Sequence, residues 1–193
     1  MPEIDAVILA GGRSRRMGRD KALLPFGGCE TLSEYQYRRL HRIFPRVYLS
    51  AKEDKFPFRA PLIPDEAEES SPMVALAAIL KHIGGEAAFI LGVDLPFVDE
   101  RIIQRLLQSF AGNPEAEAVI PVTPRGPEPL CAIYTRRLLP RIEASLGTGK
   151  HRLQSLFETG KILRVPFQDT TPFANLNRPE EYEKAMQRVR SEE

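Results

Sequence analysis

Two glycines, Gly11 and Gly12, are followed by Arg13, Arg15, Arg16, Arg19 and Lys21, which places five cations within nine residues. Glycine lets the main chain approach a ligand and present its N–H groups, and the cations supply opposite charge. A triphosphate carries roughly four negative charges, and each well-placed pair is worth about 1 kcal/mol at 4 Å in water and about 4 kcal/mol at an effective dielectric of 20. Several converging cations therefore hold such a ligand where one would not. Arginine adds paired donors that match phosphate oxygens. The common phosphate motifs do not fit: Gly12 and Gly18 are too far apart for GxxxxGK[ST], Arg19 follows the second, and GxGxxG is absent. On residue chemistry alone the run is either a phosphate-binding loop or a solvated basic loop with weak affinity for nucleic acid.

Asp94 follows the apolar run Phe89-Ile-Leu-Gly-Val93, and Leu95-Pro96 comes after it. An aspartate at a strand end is commonly a turn former or a cap. On the same sheet edge as a phosphate loop it becomes a candidate Mg²⁺ ligand. Mg²⁺ takes one or two carboxylates and leaves its other positions to phosphate and water. The proline favours an extended exit that fixes where the carboxylate points. Asp65, after Leu62-Ile-Pro64, also ends a predicted strand, and Glu66, Glu68 and Glu69 make an acidic loop its simpler reading.

These groups need a frame that brings strand ends together. Short apolar runs rich in β-branched residues cover residues 4–10, 47–51, 87–93, 118–122 and 130–134. Longer segments of helical period lie between them. Thr31 and Glu34 have capping-box spacing ahead of Tyr35, Leu40, Ile43 and Phe44. Ser71-Pro72 opens a helix over 73–83, and Asp99 caps one carrying Ile102, Ile103, Leu106, Leu107 and Phe110. Pro179-Glu180-Glu181 starts a last helix with the stripe Tyr182, Ala185, Met186 and Val189. Strands alternating with helices imply βαβ units. The expectation is a single Rossmann-like three-layer α/β/α domain over residues 1–193, built on a mainly parallel sheet. The glycine loop follows the first strand, so it lies outside that strand's carboxyl end, where open α/β sheets bind ligands.

The 193 residues suffice for one continuous core. A formal net charge of +1, from 27 basic and 26 acidic residues, argues against a protein that coats nucleic acid. Any anion site must come from local clustering. Cys29 and Cys131 show no zinc spacing and no disulfide framework, so reduced, buried or semi-buried thiols are expected. The first apolar run is short and leads into glycines, unlike a signal peptide. No stretch approaches the ~20 apolar residues of a bilayer span. The expected location is the cytosol, with no nucleic-acid or membrane partner. His41, His82 and His151 lack ligand spacing and are expected on helix surfaces.

The thirteen residues from Leu9 to Lys21, Leu-Ala-Gly-Gly-x-Ser-x-Arg-Met-Gly-x-Asp-Lys, resemble the opening loop of the molybdenum cofactor guanylyltransferases. These belong to the nucleotidyltransferases of nucleotide-diphospho-sugar-transferase-like fold. The resemblance extends along the chain: Asp94-Leu-Pro96 is similar to the family's Asp-x-Pro element, Pro129-Leu-Cys-Ala-Ile-Tyr134 to its Pro-Leu-x-Ala-x-Tyr strand, and Asn175-Leu-Asn177-Arg-Pro-Glu-Glu181 to its Asn-x-Asn-x-Pro-Glu-Glu/Asp element. Three departures stand out. Ser50 occupies a position where relatives often have asparagine, Glu128 precedes Pro129 where histidine is common, and Ser71-Pro-Met-Val-Ala75 lacks both glycines of Gly-Pro-Leu-Ala-Gly.

The resemblance implies transfer of GMP from Mg–GTP to the phosphate of molybdopterin, with release of pyrophosphate. It implies that Leu9, Ala10, Gly11 and Gly12 form a platform for guanine and ribose, with Ser50 and Asp65 also on the nucleotide. Asp94 would hold Mg²⁺, Arg16 and Lys21 would neutralise charge on the phosphates, and Asn175 would face the metal or the pterin. Asn177 is more simply a helix cap. GTP and molybdopterin are the implied small-molecule partners, with cofactor-delivery proteins and apo-molybdoenzymes beyond them. Two rivals remain at this stage. One is a cytidylyl- or other nucleotidyltransferase acting on molybdopterin or on a sugar or alcohol phosphate; the other is a non-catalytic GTP-binding partner protein.

Overall fold

The computed structural model describes residues 4–11, 20–65, 71–149 and 151–192. Gly12, Arg13, Arg15, Arg16 and Arg19, with Glu66, Glu68 and Glu69, lie outside the described residues.

Among the described residues eight strands form one sheet: β1 (Ile4–Leu9), β2 (Val47–Ala51), β3 (Leu62–Pro64), β4 (Ala87–Gly92), β5 (Ala118–Thr123), β6 (Gly126–Pro127), β7 (Cys131–Thr135) and β8 (Ile162–Pro166). The order is β3-β2-β1-β4-β7-β5-β6, and β8 pairs with β5. Strands β1 to β4 are mutually parallel, and β8 runs parallel to β5. Strand β7 is antiparallel to both β4 and β5, and the short β6 is antiparallel to β5. The sheet is therefore mainly parallel, as expected. Strands β6 and β8 were not anticipated; β8 has a single buried residue, Val165, so it lacks the apolar run that marks a central strand.

Alternation along the strands divides the core. Ala6, Ile8, Leu49, Phe89, Leu91 and Ile133 face one way, under α1 (Leu32–Leu40), α3 (Glu100–Ala111) and α5 (Pro179–Glu192). Val7, Ile63, Ala88, Ile90, Ala132 and Tyr134 face the other, under α2 (Pro72–His82) and α4 (Leu139–Gly147). Three layers follow from that alternation.

The helix starts obey their caps. Thr31 Oγ1 accepts from the Glu34 N–H at 3.1 Å, Ser71 Oγ from Val74 at 3.2 Å, and Asp99 Oδ1 from Ile102 at 3.0 Å. Helix α1 ends at Leu40, so Ile43 and Phe44 lie past it rather than on its stripe. Phe44 still stacks on Phe89 with centroids 5.3 Å apart. His41 and His82 sit at helix ends, but His151 precedes a 3₁₀ turn (Leu153–Phe157), with Nδ1 3.4 Å from Ser71 Oγ. Both thiols are free; Cys29 is half-buried, and burial pushes the Cys131 thiol well above its usual range. No helix among the described residues is long and apolar enough to cross a membrane.

Candidate nucleotide site

Strands β1 and β4 are neighbours, with Leu9 opposite Gly92, while the chain from β1 goes first to β2 on the other side. Their carboxyl ends thus flank the point where the connections diverge, where α/β sheets open a ligand crevice. The main chain past these ends is stitched together. Ala10 N–H donates to Ser50 O at 3.0 Å, Val93 N–H to Leu9 O at 3.1 Å, and Asp65 N–H to Ala51 O at 3.0 Å. Asp65, Ser50, Leu9 to Gly11 and Asp94 therefore lie along one edge in that order. Gly11 is exposed, whereas Ala10, Ser50 and Asp65 are buried.

Lys21 and Asp94, 73 residues apart, meet there: Nζ lies 2.9 Å from Asp94 Oδ2 and 3.0 Å from Asn177 Oδ1. Both charged side chains are 16% exposed, so the pair is sheltered yet reachable. Gly92 makes room for the carboxylate, because a Cβ at that position would come within 2.9 Å of Asp94 Oδ1. Asn177 belongs to this cluster rather than to a cap. The α5 start is instead satisfied by Glu181 Oε2, which accepts from the N–H groups of Asn177 at 2.7 Å and Arg178 at 3.0 Å. Leu176 N–H donates to Asp94 O at 3.0 Å, tying this segment to the aspartate's main chain.

Helix α1 fixes the loop that carries Asp94. Gln36 Nε2 donates to Val93 O at 3.4 Å, and Arg39 donates to the carbonyls of Pro96 at 2.6 Å and Val98. Burial lowers the Arg39 pKa from its ordinary value, and the guanidinium, ordinarily far above neutrality, still serves as a donor. Lys21 is aimed by its own 3₁₀ turn (Lys21–Leu23). Asp20 Oδ1 accepts from Ala22 N–H at 3.0 Å, and Ser33 Oγ donates to Ala22 O at 2.6 Å.

A tight turn follows at Gly27-Gly28, with φ of +51° and +70° and reciprocal hydrogen bonds between Phe26 and Cys29. It drives Phe26 into the core against Tyr35, Phe97 and Tyr182. One ring thus joins the lysine segment, α1, the aspartate loop and α5. The paired glycines are the sequence signal for this turn.

Next to Asn177 opens a cleft of about 540 Å³, lined by Phe97, Arg125, Glu128, Asn175, Lys184 and Arg188 among others. Asn175 lines this cleft, on the side of the Lys21–Asp94 pair away from Ser50 and Asp65. Arg125 spans its rim, donating to Thr170 O at 2.9 Å, and Glu128 accepts from Thr123 Oγ1 at 3.0 Å.

The sequence profile described as the MobA-like NTP transferase domain matches residues 6–165. A molybdenum cofactor guanylyltransferase of Campylobacter jejuni is 38% identical over 190 residues, covering 97% of this chain and 98% of that protein. The crystal structure of molybdopterin-guanine dinucleotide biosynthesis protein A from Archaeoglobus fulgidus superposes with a TM-score of 0.83 at 20% identity, over 97% of this chain and 100% of that one. The 2-C-methyl-D-erythritol 4-phosphate cytidylyltransferase of Thermus thermophilus shares the fold, with a TM-score of 0.75 at 16% identity over 97% and 99% of the two chains. With a profile covering most of the chain and a relative aligned almost end to end, this chain belongs to the MobA-like NTP transferase family of nucleotidyltransferases.

Proposed function

We propose that this chain transfers GMP from Mg–GTP to the phosphate of molybdopterin, releasing pyrophosphate, and that residues 1–193 act as one nucleotidyltransferase domain. The observation that carries the reading is the convergence of Lys21 and Asp94 at the β1/β4 strand ends, 2.9 Å apart beside an open cleft. The guanylyltransferase relative from Campylobacter supports the choice of base and acceptor.

The acceptor phosphate is already an anionic nucleophile, so its attack on the α-phosphorus needs no general base. Catalysis is then positioning plus neutralisation of charge on the leaving pyrophosphate. Lys21 supplies a cation to the phosphates, as does Arg16 by the family resemblance. The backbone of Leu9 to Gly11 faces the nucleotide, and the family resemblance gives Gly12 the same role. Among the described residues an added Cβ at Gly11 meets only ordinary distances, 3.5 Å from Ala51 Cα and 3.6 Å from Ser50 O. Ser50 and Asp65 lie on the nucleoside side, Asn175 and Asn177 on the acceptor side.

The donor set fits a metal that arrives on phosphates. Among the described residues no three His, Cys, Asp or Glu side chains cluster as a metal site, while Asp94 is a single carboxylate seated over Gly92. Mg²⁺ held by Asp94 would neutralise phosphate oxygens and polarise the α-phosphorus.

Thermal shift with each Mg–NTP, together with pyrophosphate release on adding molybdopterin, tests the proposal. GTP at 100 times its Kd should add about 2.7 kcal/mol, or roughly 5–10 °C for a chain of this length. CTP should add less. An equal or larger shift with CTP overturns the guanylyl assignment and leaves the enzyme class standing. GTP binding without pyrophosphate release points instead to a nucleotide-sensing protein.

A further inference from the structure

Asp20 is an unexpected neighbour for a phosphate-binding lysine, because its negative charge sits one residue from Lys21 in a site built for a polyanion. Both its carboxylate oxygens are engaged. Oδ1 accepts from Ala22 N–H at 3.0 Å, and Oδ2 accepts from the Lys55 ammonium. The pair is sheltered, with the Lys55 side chain 19% exposed and that of Asp20 30%.

Lys55 comes from the connection between β2 and β3, whose ends carry Ser50 and Asp65. That connection is pinned to α1 by aromatic contacts. The Lys55 ammonium lies 5.7 Å from the Phe56 ring centre, Phe56 is 6.1 Å from Phe58, and Phe58 is 5.5 Å from Tyr37. From the other side, α1 holds the lysine turn through Ser33 and through the Leu32 N–H, which donates to Leu24 O at 2.6 Å.

Resting on the nucleotide-site reading above, we propose that Lys55 is a positioning residue for that site. It cancels the charge of Asp20 and, through Asp20, fixes the turn that aims Lys21. It acts at one remove, with its ammonium set over the Phe56 ring and turned toward Asp20. Without its ammonium, Asp20 would keep its cap on Ala22 but bring an uncompensated negative charge to the incoming phosphates.

The test is a pair of substitutions whose effects oppose each other. Lys55→Met keeps an unbranched side chain of similar length and removes the charge. It should raise the KM for GTP about tenfold, the scale of one unscreened like charge at roughly 10 Å, with a smaller fall in kcat. Adding Asp20→Asn should bring KM most of the way back, since asparagine still caps the turn and carries no charge. Lys55→Arg should stay near wild type.

If Lys55 touched the phosphates itself, the double variant would recover nothing, and the inference is overturned. A fall in melting temperature with KM unchanged overturns it too, since the pair is then only a structural clamp. Should Lys55→Met fail to fold, Asp20→Asn alone decides: a rise in KM of more than about threefold rejects charge cancellation, because that variant removes the charge Lys55 is held to cancel. Wild-type binding and turnover are measured first. Their absence would sink the nucleotidyltransferase reading, whereas normal wild-type behaviour without the opposed pattern sinks only the role of Lys55.

Discussion

Two charged clusters stand at opposite ends of the strands, and their differences separate a site from a brace. At the carboxyl edge are Lys21, Asp94 and Asn177; at the amino edge, where β5 and β8 begin, are Glu117, Arg141 and the Lys161 main chain. Exposure does not distinguish them: Arg141 and Glu117 are 28% and 19% exposed, close to the 16% of Lys21 and Asp94. Each also needs a glycine, Gly92 in one case and Gly160, at φ +88°, in the other.

What differs is where the donors end. Arg141 reaches Glu117 at 2.8 Å and the carbonyls of Thr159 at 2.8 Å and Leu156 at 3.3 Å, and Glu117 also takes the Lys161 N–H at 2.9 Å. Apart from the Glu117 carboxylate, these are main-chain partners in residues 156–161, locked to α4 by Arg141. Lys21 instead bridges side chains from two distant segments beside a cleft and at the sheet's switch point. A main-chain brace holds a turn, whereas convergent side chains at a strand edge fit the proposed ligand site.

The largest effect expected from this contrast is at Asp94. Asp94→Asn keeps size and much of the hydrogen bonding but removes the charge that, on the proposal above, attracts Mg²⁺. Turnover should fall about a hundredfold or more, the equivalent of several kcal/mol of transition-state stabilisation. The melting temperature should scarcely move, and added Mg²⁺ should recover only part of the loss. Near-normal pyrophosphate release would remove Asp94 as the essential ligand and erase the distinction between the two clusters.

The opposite signature belongs to Arg141. Arg141→Met removes hydrogen bonds to two carbonyls and the ion pair to Glu117, which keeps the Lys161 N–H, at a cost of about 1–3 kcal/mol. For a chain of this size that is roughly 2–12 °C in melting temperature. The KM for GTP should not change. A variant with wild-type stability, or with impaired nucleotide binding, would show that the amino-edge cluster is more than a brace.

Much of the carboxyl edge was legible in the sequence because its signals are local. Apolar runs without alternation marked β1 and β4, and the residues just after them, Gly11 and Asp94, had to share an edge once the strands were parallel. The caps at Thr31, Ser71 and Asp99 were legible for the same reason, each resting on residues at most three apart. Asn177 was not. Its spacing before Pro179 suggested a cap, and only the distant Lys21 and the competing Glu181 carboxylate show otherwise. The amino-edge cluster was equally hidden, since Glu117, Arg141 and Gly160 are joined by β8, an edge strand with too little apolar sequence to announce itself.

The smallest effect, and the most direct check on the brace, is the pH dependence of Glu117. Burial raises its pKa, but the Arg141 hydrogen bond, the Lys161 N–H and both positive charges outweigh that, leaving the carboxyl below its ordinary range. A carboxyl depressed in the folded state contributes stability above its unfolded pKa, about 4.3, and loses it as pH falls through the folded value. Glu117→Gln should therefore cost stability at pH 7, by about 1 kcal/mol or less because solvent screens the pair. The gap between wild type and variant should close as pH drops below 4. Glu115 and Asp169 are also depressed, by Lys161 and by the Thr171 N–H respectively, but they titrate alike in both proteins and cancel in the difference. Melting temperatures of the two proteins at pH 7 and pH 3.5 make the measurement. A gap that stays constant or widens on acidification would mean that Glu117 holds the turn by shape and not by charge.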